Sequence, residues 1–261
     1  MHNAMESPLK LSVVIITLNE EKNIEDCLLS VKRVADEILV VDSLSTDRTE
    51  EICIRNGARF VKNKWEGIVA QRNFAQQLAT HPVLLNLDAD ERLSPELAAS
   101  ILKEKKKGFP GKGYSMNRFN NYCGKWIRHG VYYPDTKLRL YHKNSGRVEG
   151  ANPHEWVQLN EDFPVQKLKG DILHYSFRSF AEHIAQMNKF SSVSAQTLYA
   201  SGRKPSVLKP FLSAFWAFFN SFFLRLGFLD GIYGYVIARN NAMYAFFKYA
   251  KLNELHKGKI G

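Results

Sequence analysis

Four apolar runs punctuate the first hundred residues, and the spacing between them sets the expected fold. LSVVIIT (11–17) is apolar apart from Ser12 and the terminal Thr17, which predicts a strand covered on both faces. Ile24, Leu28 and Val31 then recur at helical spacing, predicting a helix over about 21–33. EILVVDS (37–43) is a second buried strand. A helix over about 46–56 follows, with Ser45 or Thr46 as its cap and Gly57 as its stop. ARFVKN gives a short third strand, 67–79 a third helix, and PVLLNLDAD a fourth strand. This alternation predicts an α/β fold with a mostly parallel central sheet, right-handed crossovers and flanking helices. Such sheets bind ligands at the carboxyl ends of their strands. Thr17, Asn19, Asp42, Asp88 and Asp90 all fall at those ends.

The pattern changes twice further on. From about 113 to 175 the chain is strand-rich and irregular, with short alternating runs such as KLRLYHK. From about Ser179 it turns helical, with Phe180, Ile184, Met187 and Phe190 near helical spacing, and 202–205 breaks it. The last third is rich in aromatics. Residues 211–229 nearly reach the length of a bilayer span, but Asn220, Arg225 and Gly227 interrupt them and Asp230 follows. An amphipathic or hairpin element in the membrane interface fits better. Trp216, Tyr233, Tyr235 and Tyr249 suit that depth, and Arg203, Lys204, Lys209, Arg239, Lys248 and Lys251 suit anionic headgroups. A pair of core helices or a dimer interface is the competing reading.

The strongest chemical feature is Asp88-Ala89-Asp90 after VLLNL. In extended backbone, residues two apart point the same way, so two carboxylates at a strand end can share one hard divalent cation. The competing reading is an acidic surface turn before a helix capped by Ser94.

Composition narrows the setting. A formal charge of +10 over 261 residues suits a polyanionic partner: nucleic acid, anionic lipid or a phosphorylated substrate. Three widely spaced cysteines without a Cys-x-x-Cys argue against a disulfide framework and favour a reducing compartment. MHNAMESPLK shows no secretory signal. No P-loop, nucleophile elbow or Gly-x-Gly-x-x-Gly fingerprint supports another cofactor.

The order of VVIITLNEEKN, VVDSLSTD and NLDAD resembles family 2 glycosyltransferases of the GT-A fold. The resemblance covers roughly the first hundred residues closely. It implies a Rossmann-like GT-A domain over 1–178, with a nucleotide-sugar-binding half (about 11–100) and an acceptor half (about 101–178), and a helical membrane-associating region over 179–261. It implies that Thr17, Asn19, Glu20, Asp42, Arg72, Asp88, Ala89 and Asp90 bind a UDP-sugar, with Asp42 accepting from the uracil and Arg72 reaching the diphosphate. Lys64 and Trp65 would wall the pocket. Asp88, Asp90 and His174 would bind Mg2+ or Mn2+, with His154 as an alternative to His174. In VEGANPHEWV, Glu155 would be the catalytic base, with Glu149 the alternate. The implied reaction is an inverting, metal-dependent transfer. Other readings are simpler for some residues: Asp42 as a turn residue, Glu20 as a first-turn helix acid, Arg72 as a paired structural arginine.

KPSVLKPF and GFLDGIYGYVIA resemble the lipopolysaccharide core branch of the family, of β-1,4-glucosyltransferase type. That implies a hexose, glucose, moved onto a membrane-anchored glycolipid such as the lipopolysaccharide inner core. The enzyme would then be cytoplasmic and peripheral on the inner face of the cytoplasmic membrane, with no nucleic-acid partner beyond the nucleotide donor. A homo-oligomer stays open. So do a polyprenyl phosphate, polysaccharide or peptide acceptor, and a non-catalytic nucleotide-sugar-binding scaffold.

Overall fold

The computed structural model describes residues 9–151, 154–161 and 163–258. Two compact units divide the chain, one formed by 1–118 with 136–174, the other by 119–135 with 175–261.

The first unit opens with the alternation expected from the sequence. Strand β1 (Leu11–Thr17) is buried at every position. Helix α1 (Ile24–Val31) buries Ile24, Cys27, Leu28 and Val31, one stripe at three- and four-residue spacing. Then come β2 (Glu37–Asp42), α2 (Thr49–Arg55), β3 (Arg59–Lys62), α3 (Ile68–Leu78) and β4 (Val83–Asp88). Strand β5 (Glu91–Leu93) and helix α4 (Pro95–Lys106) follow, and Ser94 caps α4 by accepting from Leu97 N–H. Strands β6 (Gly113–Tyr122), β7 (Lys125–Trp126), β8 (Asp135–His142) and β11 (Val165–Phe177) complete the main sheet. Its order is β3-β2-β1-β4-β8-β6-β11-β5, with β7 on β6. The β1–β2, β1–β4 and β2–β3 pairs are parallel, while β4–β8 and β11–β5 are antiparallel. Strands β9 (Gly146–Ala151) and β10 (His154–Leu159) form a separate antiparallel ribbon.

Alternation along β1 divides the core. Leu11, Val13 and Ile15 face a cluster with α1, α2 and α4, whereas Val14 faces a second cluster with Ala75 and Ala79 near α3 and Leu159 of the ribbon. The chain runs outward from β1 to β3 and then returns to β4 on the other side of β1. That reversal makes a crevice at the strand ends between β1 and β4. Register aligns Thr17 with Asp42, and Ile16 with Asp88, so the polar strand ends stand side by side.

Two local expectations are corrected. The second helix starts at Thr49 rather than 46, and neither Ser45 nor Thr46 caps it. Ser45 Oγ instead donates to Asp42, and Thr46 N–H donates to Asn19 Oδ1 at 2.8 Å, so both are held in the preceding turn. The fourth strand stops at Asp88, and Ala89 and Asp90 form a turn. In the long helix α5 (Phe180–Ala200), Phe180 and Ile184 are exposed, and His183, Met187, Ser191, Ser194 and Ala195 are the buried face. The three cysteines are free thiols.

The second unit holds α5, helix α6 (Lys209–Phe219), a π turn (Asn220–Leu224), a 3-10 turn (Gly227–Asp230) and helix α7 (Ile232–His256). The buried Asp230 carboxylate accepts from the backbone N–H of Arg128 and His129, tying the 119–135 segment to the start of α7. Among the described residues, no helix is long and apolar enough to cross a membrane.

Gly170 marks where β11 passes over the start of α4. Its φ is +88°, and a Cβ there would run into the backbone of Glu96 and Leu97. Gly170→Ala is expected to lower the unfolding free energy by about 2–4 kcal/mol, read by urea denaturation, because both the backbone angle and the space refuse the methyl group. A stability equal to wild type would show that this crossing yields at little cost.

Candidate active site

The crevice end of β4 carries acids with little access to water. Glu91 is fully buried and Asp88 is about a quarter exposed at its side chain. An ionised carboxylate in such a place needs cations or hydrogen bonds, because burial alone drives it neutral. Three arginines supply them. Arg72 of α3, 2% exposed at its side chain, donates from Nη2 to Asp88 Oδ1 at 2.7 Å. Arg139 of β8 reaches Asp88 Oδ2 and Glu91 Oε1, each at 3.3 Å. Arg118 of β6 lies 3.7 Å from Glu91 Oε1. Glu91 Oε2 also accepts from the Asp88 backbone N–H at 2.9 Å, closing the turn.

The charges settle the protonation of Asp88. Burial pushes its carboxyl up, but Arg72, Arg139 and Arg118 outweigh burial and hold it well below the usual carboxylate range. A depressed folded-state value means that this group stabilises the fold above the ordinary carboxylate range, and that the contribution fades as pH falls through it. Arg139 is likewise opposed by burial but held firmly protonated by Glu91, Asp88 and Glu155.

Asp90 turns to a different partner. Its Oδ2 lies 3.2 Å from His174 Nε2, with the two side chains 25% and 15% exposed. Burial works against charge on His174, yet Asp90 outweighs it and raises the imidazole above its ordinary value. Asp88 therefore ends the strand and Asp90 lies in the turn beyond it, so the two acids of Asp-x-Asp are not a pair on extended backbone. Asp88 faces guanidinium groups and Asp90 faces an imidazole.

Helix α3 also positions Glu155. Asn73 exchanges two hydrogen bonds with Val148 of β9, at 2.9 and 3.0 Å, and Gln76 Nε2 donates to the carbonyls of Lys143 and Gly146. The ribbon is thereby fixed to the helix that carries Arg72. Glu155 on β10 comes 3.9 Å from Arg72 Nη2, and its side chain is 17% exposed. Glu149 pairs across the ribbon with Trp156, the neighbour of Glu155, so alternation sends it to the other face. There Arg147 holds it from Nη2 at 2.7 Å, and Trp156 is 53% exposed. The side chain of His154 lies outside the described residues.

The remaining expected positions line the ends of β1 and β2. Thr17 is 5% exposed, and its Oγ1 has no hydrogen-bond partner among the described residues. Asn19 adopts a left-handed backbone (φ 55°) and holds the turn through Ser45 and Thr46. Asp42 is fully buried, with Ser45 donating from both N–H and Oγ, which is the turn-residue role. Glu20 accepts from Asn23 Nδ2 at 2.7 Å at the start of α1. Ala89 is buried between the two acids. Arg72 does not extend into solvent, its side chain being 2% exposed. Its Nε and Nη1 and the Nε of Arg139 are buried donors without a partner among the described residues.

Sequence reasoning missed Glu91, Arg139 and Arg118. A signal existed for two of them. Glu91 extends the acidic run DADE, and in KLRLYHK alternation puts Arg139 on the same face as the buried Tyr141.

The surroundings of this site have counterparts elsewhere. Residues 12–154 match the family Glycosyl transferase family 2. An uncharacterised glycosyltransferase of Rickettsia bellii is 34% identical, over 94% of this chain and 87% of its own. The lipopolysaccharide core biosynthesis glycosyltransferase LpsC of Rhizobium meliloti is 30% identical, over 95% of this chain and 93% of its own. In fold, the chain is similar to glucosyl-3-phosphoglycerate synthase of Mycobacterium tuberculosis, solved with Mn2+, UDP and glucosyl-3-phosphoglycerate. The TM-score is 0.51 at 19% identity, covering 76% of this chain and 82% of that one. The mostly parallel sheet with its flanking helices is thus the GT-A fold, and the chain belongs to glycosyltransferase family 2.

Proposed function

We propose that the chain transfers glucose from UDP-glucose onto a hydroxyl of a membrane-anchored glycolipid of the lipopolysaccharide inner-core kind, with inversion, using Mg2+ or Mn2+. One observation carries this reading. Asp90 with His174, the guanidinium groups of Arg72 and Arg139, and the Glu155 carboxylate lie on one connected patch at the crevice end of β4. Cation ligands, fixed positive charge and a candidate base are the three parts that displacement of a nucleoside diphosphate needs. The donor and metal follow the synthase of similar fold, solved with Mn2+, UDP-glucose and phosphoglyceric acid. The acceptor follows LpsC by its name.

The residues present fit a divalent cation. Asp90 offers a hard oxygen and His174 a borderline nitrogen at contact distance. Among the described residues no three His, Cys, Asp or Glu side chains converge, so two protein ligands would hold the ion and phosphate oxygens and water would complete its shell. When bound, the ion supplies charge neutralisation to the departing diphosphate. Asp88, whose lone pairs already serve two arginines, acts as their anchor and leaves first ligation to Asp90. The unpartnered N–H groups of Arg72 and Arg139 are buried donors that cost about 1–3 kcal/mol each while unsatisfied. An incoming phosphate oxygen is the group that removes this cost. Thr17 Oγ1, buried and unpartnered among the described residues, would serve the nucleotide in the same way.

Glu155 is the base. It makes no hydrogen bond among the described residues, and it is held beside Arg72 rather than consumed by a short ion pair. It would take the proton of the acceptor hydroxyl as that oxygen attacks the anomeric carbon. A single displacement from the face opposite the diphosphate inverts the centre. Glu149 is already paired with Arg147 on the other face of the ribbon.

Transfer of radiolabelled glucose from UDP-glucose to purified inner-core glycolipid tests the whole reading. Asp90→Ala is expected to reduce metal-stimulated transfer by about 10²-fold or more, with the fold retained by circular dichroism. Full activity in that variant removes the ligand assignment. Glu155→Gln is expected to lower kcat by about 10²–10⁴-fold while UDP-glucose still binds in calorimetry. Glu149→Gln should stay near wild type, and the reverse pattern would make Glu149 the base.

A further inference from the structure

Helix α6 breaks the usual rule of amphipathic packing. Leu208, Phe211, Leu212, Phe215 and Trp216 recur at three- and four-residue spacing, the stripe that normally faces a core. Here the stripe faces outward, with Phe211 61%, Phe215 70% and Trp216 56% exposed. Pro210 is the only residue of α6 that is buried. Leaving such side chains largely in water forgoes much of the gain of burying them, and a contiguous patch of this kind marks a contact surface. The apolar surface continues through Phe223, Leu224, Phe228 and Leu229 into the start of α7.

A cleft of about 590 Å³ opens between α6 and α7 beside this stripe. Ala214, Phe215, Phe218, Met243 and Phe246 are among its walls, and its one charged lining residue is Arg239. Arg239 is exposed and has no hydrogen-bond or ion-pair partner among the described residues. An open apolar cleft with a single guanidinium in its lining has the chemistry of a lipid site: hydrocarbon against the aromatic walls, an anionic head on the arginine.

Charge decides between occupants. From residue 183 to 229 the sequence contains no Asp or Glu, while Lys189, Arg203, Lys204, Lys209 and Arg225 fall in it. Asp230, which ends this stretch, is 5% exposed and held by backbone N–H groups, so it offers no surface charge. A second copy of the same face would bring like charges together. An anionic lipid surface complements them.

We propose that α6 lies in the interface of an anionic membrane and that the α6–α7 cleft takes a hydrocarbon chain of an anionic lipid whose head pairs with Arg239. This deepens the reading that the acceptor is membrane-bound by naming the surface that meets the membrane. The full-length protein is mixed with phosphatidylglycerol or phosphatidylcholine vesicles and binding is read by co-sedimentation. Brominated acyl chains then report depth by quenching of Trp216, defined as the signal lost in Trp216→Phe. Strong binding to phosphatidylglycerol only, with quenching, is expected. Phe215→Glu and Arg239→Glu should each weaken it at least tenfold, and Arg239→Lys should restore most of it. Circular dichroism of every variant should match wild type. Equal binding to both lipids, no quenching of Trp216, or a dimer in light scattering that Phe215→Glu splits would overturn the proposal. Wild-type binding in Arg239→Glu would overturn the cleft assignment. Transfer onto a delipidated inner-core oligosaccharide should be unchanged in Phe215→Glu, which separates failure of this surface from failure of the transferase reading.

Discussion

Two carboxylates that sit where water is scarce, Asp88 and Glu91, govern the architecture of the crevice. Carboxylates so placed call for guanidinium partners in place of water. Those groups arrive from elements distant in the chain: Arg72 from α3, Arg139 from β8 and Arg118 from β6. Removing one partner of such a buried pair costs on the order of 3–5 kcal/mol, far more than a surface ion pair contributes. The cluster therefore fixes the lateral positions of a helix and two strands against the end of β4. It is both a structural clamp and the charged floor of the site.

The consequences spread outward through α3. One face of that helix places Arg72 on Asp88, while Asn73 and Gln76 grip the β9–β10 ribbon by its backbone. The ribbon cannot slide without breaking those bonds, and a one-residue slip would exchange Glu155 for Trp156 on the inward face. The position of Glu155 near the guanidinium groups is thus a result of side-chain-to-backbone bonds made by a neighbouring helix. On the other side of Asp88, the tight turn through Ala89 aims Asp90 at His174, so adjacent acids divide their labour. One pairs with arginines, and the other with an imidazole.

Much of the fold was legible because burial on both faces leaves an unmistakable mark. LSVVIIT and EILVV have no polar alternation, and such runs separated by helical periods specify a parallel sheet. Thr17, Asp42, Asp88 and Asp90 could be placed at strand ends from the same pattern. Helix starts were less legible. Ser45 and Thr46 looked like caps, but tertiary demands from Asp42 and Asn19 claimed them first. The long-range partners were hidden for a different reason. Nothing local in KLRLYHK says which acid Arg139 will meet, since that depends on β8 lying antiparallel to β4. The exposed stripe of α6 shows the limit of periodicity. A 3.6-residue pattern announces an apolar face but not whether protein or lipid will cover it.

The central claim is that Asp90 and His174 together hold the divalent cation that meets the diphosphate, while Asp88 stays with its arginines. A crystal grown with UDP-glucose and Mn2+, with anomalous scattering recorded at the manganese edge, tests it directly. The account predicts one anomalous peak at bonding distance from Asp90 and His174, with Arg72 still on Asp88. A peak elsewhere in the crevice, or Asp88 released from Arg72 to bind the ion with Asp90 turned away, would contradict it.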